Sequence, residues 1–155
     1  MRRLLAEVSA NHFPNPPATP AQVAAFEARV GWGLDEQLLT FYLHCNGAAL
    51  FTAPPDMNYQ ILPLEHIERA SVAIRGSKED ADGSPWHFTL VDMQDTNYVV
   101  MDVAQAVAGR YPLFDAWHET YPQVERIASS FEEFLEKALR SGNRSFWLSS
   151  GPMEE

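Results

Sequence analysis

Residue types able to do covalent or metal chemistry are present in this chain, but they are scattered. Cys45 is the single cysteine and His44 precedes it, a pairing that would suit a thiolate and its base. Neighbours on a helix project about 100° apart, however, so the two form no dyad, and Cys45 is expected to pack beside a helix end. His12, His44, His66, His87 and His118 occur singly, never in a His-Glu-x-x-His spacing or another clustered ligand set, so no zinc chemistry is expected. There is no Gly-x-Ser-x-Gly nucleophile elbow and no glycine-rich phosphate cradle. Two acid clusters invite a calcium test. Glu79-Asp80-Ala81-Asp82-Gly83 begins like a calcium loop but lacks the sixth-position glycine and the downstream glutamate, and Asp92, Asp95 and Asn97 would hold a cation only loosely. Turn formation accounts for both, so the reading is a protein that is not an enzyme, with no catalytic residue, cofactor or metal.

What remains is binding, and charge says of what kind. The net charge is -10, and residues 79–137 hold 12 Asp or Glu against 3 Lys or Arg, whereas residues 1–78 hold 7 against 6. A surface of that sign repels nucleic acid and anionic lipid and draws basic proteins from a distance. No stretch approaches the roughly 20 apolar residues of a membrane span. The apolar run after Arg2-Arg3 is too short for a secretory segment. With one cysteine no internal disulfide is available, and a cytoplasmic location is expected.

The elements that must present such a surface can be read in order. Met1–Val8 reads as a small amphipathic helix. Four prolines make Asn11–Pro20 a loop. Thr19-Pro20-Ala21-Gln22 is a capping box that launches a helix with Val23, Phe26 and Val30 on one face, ended by Gly31-Trp32-Gly33. A second helix follows over Leu34–Cys45, with Leu38, Phe41 and Tyr42 on its apolar face and Asn46-Gly47 supplying left-handed residues to stop it. Leu50-Phe51 and Tyr59–Leu62 read as strands around a Pro54-Pro55-Asp56 loop. Leu64–Ala70 reads as a short helix or crossover, and Ser77–Pro85 as a surface loop. Trp86–Val91 and Tyr98–Val103 form an antiparallel hairpin with an acidic tip, and Tyr111–His118 is another strand. Ile127–Arg140 is the clearest helix, capped by Ser130, with Glu133 closing the box and Phe131, Phe134, Leu135, Ala138 and Leu139 as its buried stripe. Phe146-Trp147-Leu148 is expected to dock as a small strand or fill a groove. The expected architecture is α+β: an N-terminal helical hairpin and a C-terminal helix packed on an antiparallel or mixed sheet.

Several segments together resemble the SUKH superfamily. Leu34-Asp35-Glu36 through Phe41 to Asn46-Gly47 is similar to its Leu-Pro-acidic-acidic…Phe-Leu…Asn-Gly signature, with Asp35 where proline is usual; an aspartate begins a helix through its own side-chain cap. Tyr59–Leu64, Tyr98–Asp102 and Ile127–Leu135 resemble three further elements, so the similarity runs from about residue 19 to 140. Residues 1–18 then form an N-terminal helix and proline-rich loop, and 141–155 a tail, around a single SUKH-like domain. Leu34, Phe41, Asn46, Gly47, Ser130, Phe131, Phe134 and Leu135 carry the family pattern and are expected to be structural. The resemblance implies a bacterial immunity protein that binds and blocks a polymorphic toxin, often a nuclease with a basic groove; the alternative is a Smi/Knr-like scaffold module in cell-wall or stress regulation. On the immunity reading, Asp92, Asp95, Asp102, Asp115 and Glu119, with Trp86 and Trp117 as aromatic anchors, are the expected toxin-facing residues.

Overall fold

Among the described residues, seven short strands form one antiparallel sheet in strict chain order, β1 to β7 (Phe13–Pro14, Ala48–Leu50, Tyr59–Ile61, His87–Asp92, Tyr98–Asp102, Leu113–Ala116, Glu125–Ala128). The structure, a computed structural model, describes residues 1–53, 58–77 and 83–148; the Pro54-Pro55-Asp56 loop, the Glu79–Asp82 acids and the tail from Ser149 lie outside the described residues.

Five α-helices among the described residues, α1 to α5 (Arg2–Asn11, Pro20–Val30, Glu36–His44, Ala70–Arg75, Phe131–Leu139), flank the sheet. Local chemistry sets their ends. Thr19 Oγ1 accepts from Gln22 N (3.1 Å) while Gln22 Oε1 accepts from Thr19 N (2.8 Å), and Gly31 ends α2 at φ 84°. Asp35 caps α3 by accepting from Leu38 N (2.9 Å). Ser130 caps α5, but Glu133 reaches back to Ser129 N (2.7 Å), so the expected box closes one residue earlier.

Leu4, Val8, Phe26, Phe41, Tyr42, Phe131, Phe134 and Leu135 of α1, α2, α3 and α5 join Leu50, Ile61, Leu90, Val99, Met101 and Leu113 in one core on one face of the sheet. A smaller cluster on the opposite face gathers Ala70 and Ile74 of α4 with Val100, Ala116 and Tyr121. Phe146 and Trp147 fill a groove against Phe134 rather than adding a strand.

Three elements depart from the sequence reading. Glu125–Ala128 is strand β7, not the start of the last helix, which begins at Phe131. The proline-rich loop contains β1, whose Pro14 sits at a sheet edge where its missing N–H costs nothing. Helix α4 extends past the Leu64–His66 3-10 turn, without a side-chain cap.

Asn46-Gly47 also works differently from a helix stop. Cys45 already leaves α3 in extended geometry. Asn46 Oδ1 accepts from Leu64 N (2.8 Å), its Nδ2 donates to Glu65 Oε1 (3.1 Å), and Gly47 O accepts from Asn15 N (2.9 Å). A Cβ on Gly47, at φ 88°, would stand 2.6 Å from Ile61 O and 2.8 Å from Pro63 N. The pair is a junction between the proline-rich loop, α3 and β3.

Candidate functional site

Strands β4, β5 and β6 end together on one rim, because Asp92 pairs with Tyr98 and Tyr98 with Ala116. The turn after β4 is closed by Met93 N donating to Asn97 O (2.8 Å) and by Gln94 N donating to Asp92 Oδ1 (2.8 Å). Gln94, Asp95 and Thr96 follow one another at φ 77°, 57° and 65°. Left-handed backbone costs an ordinary residue about 1–2 kcal/mol, so three in succession persist only where the surroundings hold them.

The β6–β7 loop supplies that hold. Buried Asn97 turns its Oδ1 to accept from His118 N (2.8 Å), with His118 Nδ1 at 2.9 Å. Arg75 Nη2, from the end of α4, donates to both His118 O and Tyr121 O (2.7 Å each). Trp117 stacks on His118 with ring centroids 5.8 Å apart, and its indole N–H donates to Glu119 Oε1 (3.3 Å). Thus Asp92, Asp95, Trp117 and Glu119 share one rim, with Asp95, Trp117 and Glu119 exposed.

Two further residues belong to it that sequence reasoning missed. Half-buried Tyr98, paired with Asp92 in the sheet, has its phenol pushed up by burial and then by the carboxylates of Asp92 and Glu68. Glu68 comes from the segment before α4, more than 20 positions from the turn in sequence, and is held against β4 by Thr89 N donating to Glu68 O (2.9 Å). The rim is a carboxylate-rich surface around Trp117 and Tyr98, suited to a basic partner.

The remaining expected residues lie elsewhere. Asp102 is a correction: it is 4% exposed, and its carboxylate is consumed internally by His87 Nε2 (3.2 Å), Ala104 N (3.0 Å) and Gln105 Nε2 (2.6 Å). Trp86 is exposed, but at the opposite end of the hairpin, about 17 Å away by the length of β4. Asp115 points to the main-core face beside Glu125 and the Trp147 indole; burial raises its pKa, the indole N–H opposes that, and Glu125 adds to it.

Burial pushes the Cys45 thiol up to about 12, so it carries no thiolate at neutral pH. His44 faces Ser9 Oγ (2.7 Å) instead of the thiol. Among the described residues no three His, Cys, Asp or Glu side chains group to hold a metal, the Asp92 and Asn97 oxygens being engaged with backbone N–H groups. No helix among them is long and apolar enough to cross a membrane.

No curated protein matches the chain with significant similarity. Residues 17–137, from just before the Thr19 cap to the last turn of α5, match the model of the SMI1 / KNR4 family (SUKH-1), and the chain belongs to that family.

Proposed function

We propose that this protein is an immunity protein, which neutralises a cognate polymorphic toxin by stoichiometric binding through the acidic rim. The observation that carries the reading is the rim itself: Asp92, Asp95, Glu119 and Glu68 around Trp117 and Tyr98, on a member of a family known for immunity proteins. A toxin that acts on nucleic acid presents a basic groove, which such a surface complements in charge while the aromatic rings supply the desolvated anchor. Carboxylates at the rim raise the rate of encounter, and Trp117 slows dissociation.

The test is co-expression with candidate toxic C-terminal domains taken from genes that neighbour this one. Restored growth and a purified one-to-one complex are expected. Growth arrest despite folded protein, with no complex, would sink the immunity reading and favour a Smi/Knr-like scaffold role.

A further inference from the structure

We propose that the outer edge of β7, with the cleft beside it, docks an extended acidic segment of a partner protein as an eighth strand. This inference concerns the edge of the sheet away from the rim's own turn and does not depend on the immunity reading.

The two edges of the sheet are unlike. β1 is two residues long and contains Pro14, which blunts it against strand pairing. β7 is four residues long, has no proline within it, and among the described residues pairs only with β6. Among the described residues no strand lies on its outer side, and no backbone hydrogen bond beyond the β6 ladder involves Glu125–Ala128. Its outward N–H and C=O groups are therefore a template for an added strand.

Beside that edge, between β7, α5 and the segment ending in Trp147, lies an open cleft of about 650 Å³. That size falls within the range of small-ligand sites and has room for the alternate side chains of a strand laid along β7. Its chemistry inverts that of the molecule. In a chain of net charge -10, Arg126, Lys137, Arg140 and Arg144 line it against only Glu125 and Glu136.

Two of those cations are committed: Lys137 to Glu133 (3.0 Å), and Arg140 to Glu7 (2.6 Å) and Glu136 (3.7 Å). Exposed Arg126 and Arg144 make no ion pair among the described residues. A guanidinium presents a planar fork that fits a carboxylate bidentately. The floor is apolar, from Ile127, Phe146 and Trp147. The matching ligand alternates carboxylates with apolar side chains along an extended backbone.

A fluorescein-labelled peptide, Thr-Glu-Val-Glu-Val-Glu-Thr, tests this with the full chain, using fluorescence anisotropy and backbone amide NMR shifts. Binding is expected to shift the amides of Glu125–Ala128 and Arg144–Leu148. The double variant R126E/R144E, whose exposed sites leave the fold intact by circular dichroism, should bind about tenfold more weakly or worse. A peptide N-methylated on the bonds facing β7 should lose a comparable factor, and one with lysine for glutamate should not bind. The proposal is overturned by absence of binding at millimolar peptide, by undiminished binding to the double variant, by equal binding of the N-methylated peptide, or by shifts confined elsewhere. It is equally overturned if β7 proves to be a dimer interface from which the peptide cannot displace the second copy.

Discussion

Asp95 and Asp102 lie seven positions apart on one hairpin, and their surroundings give them opposite work. Asp95 is exposed at the tip, so reversing it should leave stability within about 1 kcal/mol. Asp102 is buried under three donors, and D102A leaves His87, the Ala104 N–H and Gln105 facing an empty site; urea denaturation should show a loss of about 2–4 kcal/mol. The sequence offers no means of separating these two. Val99, Val100 and Met101 are all buried because both faces of the sheet are covered, so the alternation that would place Asp102 inside is absent. Asp115 makes a pH prediction. Its folded pKa is raised, chiefly by burial, so the proton it binds in the folded state favours folding below the unfolded pKa, and that contribution is lost as pH rises through the folded value. D115N should therefore raise Tm at neutral pH, with the gain shrinking toward acid; a constant gain across pH would contradict the burial.

At the scale of elements, what could be read from sequence was whatever local chemistry decides. The Thr19, Asp35 and Ser130 caps mark three helices because a side chain beside the N-terminus satisfies a backbone N–H with no help from the rest of the fold. Strand β7 escaped because Ile127-Ala128 abuts the Ser130 cap and shares the apolar character of the helix stripe; only pairing with β6 makes it extended. Helix α4 escaped because it spans six residues with no side-chain cap, and β1 because two residues carry no period. The Asn46-Gly47 junction is tested by G47A. Even one methyl meets the Ile61 and Pro63 backbone at positive φ, so denaturant titration should show a loss above the about 1–2 kcal/mol that positive φ alone costs, whereas G109A, with φ 74° and nothing within 4 Å of the new methyl, should lose only that about 1–2 kcal/mol. A second test concerns the clamp of α1 on α5. Arg140 holds the Glu7 carboxyl below its usual value by direct hydrogen bonds, so the clamp contributes above the unfolded pKa and fades as pH falls through the folded one. E7Q should cost stability at neutral pH and little at acid pH.

Across the whole molecule, the strict chain order of the sheet sets the geometry of the acidic rim. A meander places every second connection at one end, so the β4–β5 turn and the β6–β7 loop meet there and carry acids from distant parts of the sequence to one rim. Charge counting alone locates the acidity in the second half of the chain, and the fold sorts it: Asp102 and Asp115 turn inward, Trp86 goes to the far end, and Glu68 enters from outside the acidic half. On the proposed immunity function, this rim meets a basic toxin domain. That contact is tested most directly by the association rate of the purified pair in stopped-flow at low salt, comparing the wild type with a D92K/D95K/E119K variant shown to be folded. Association of the reversed variant is expected to be slower by about tenfold or more, with the difference narrowing as salt screens the charges beyond about 8–10 Å. An unchanged rate in the reversed variant would contradict the proposed contact.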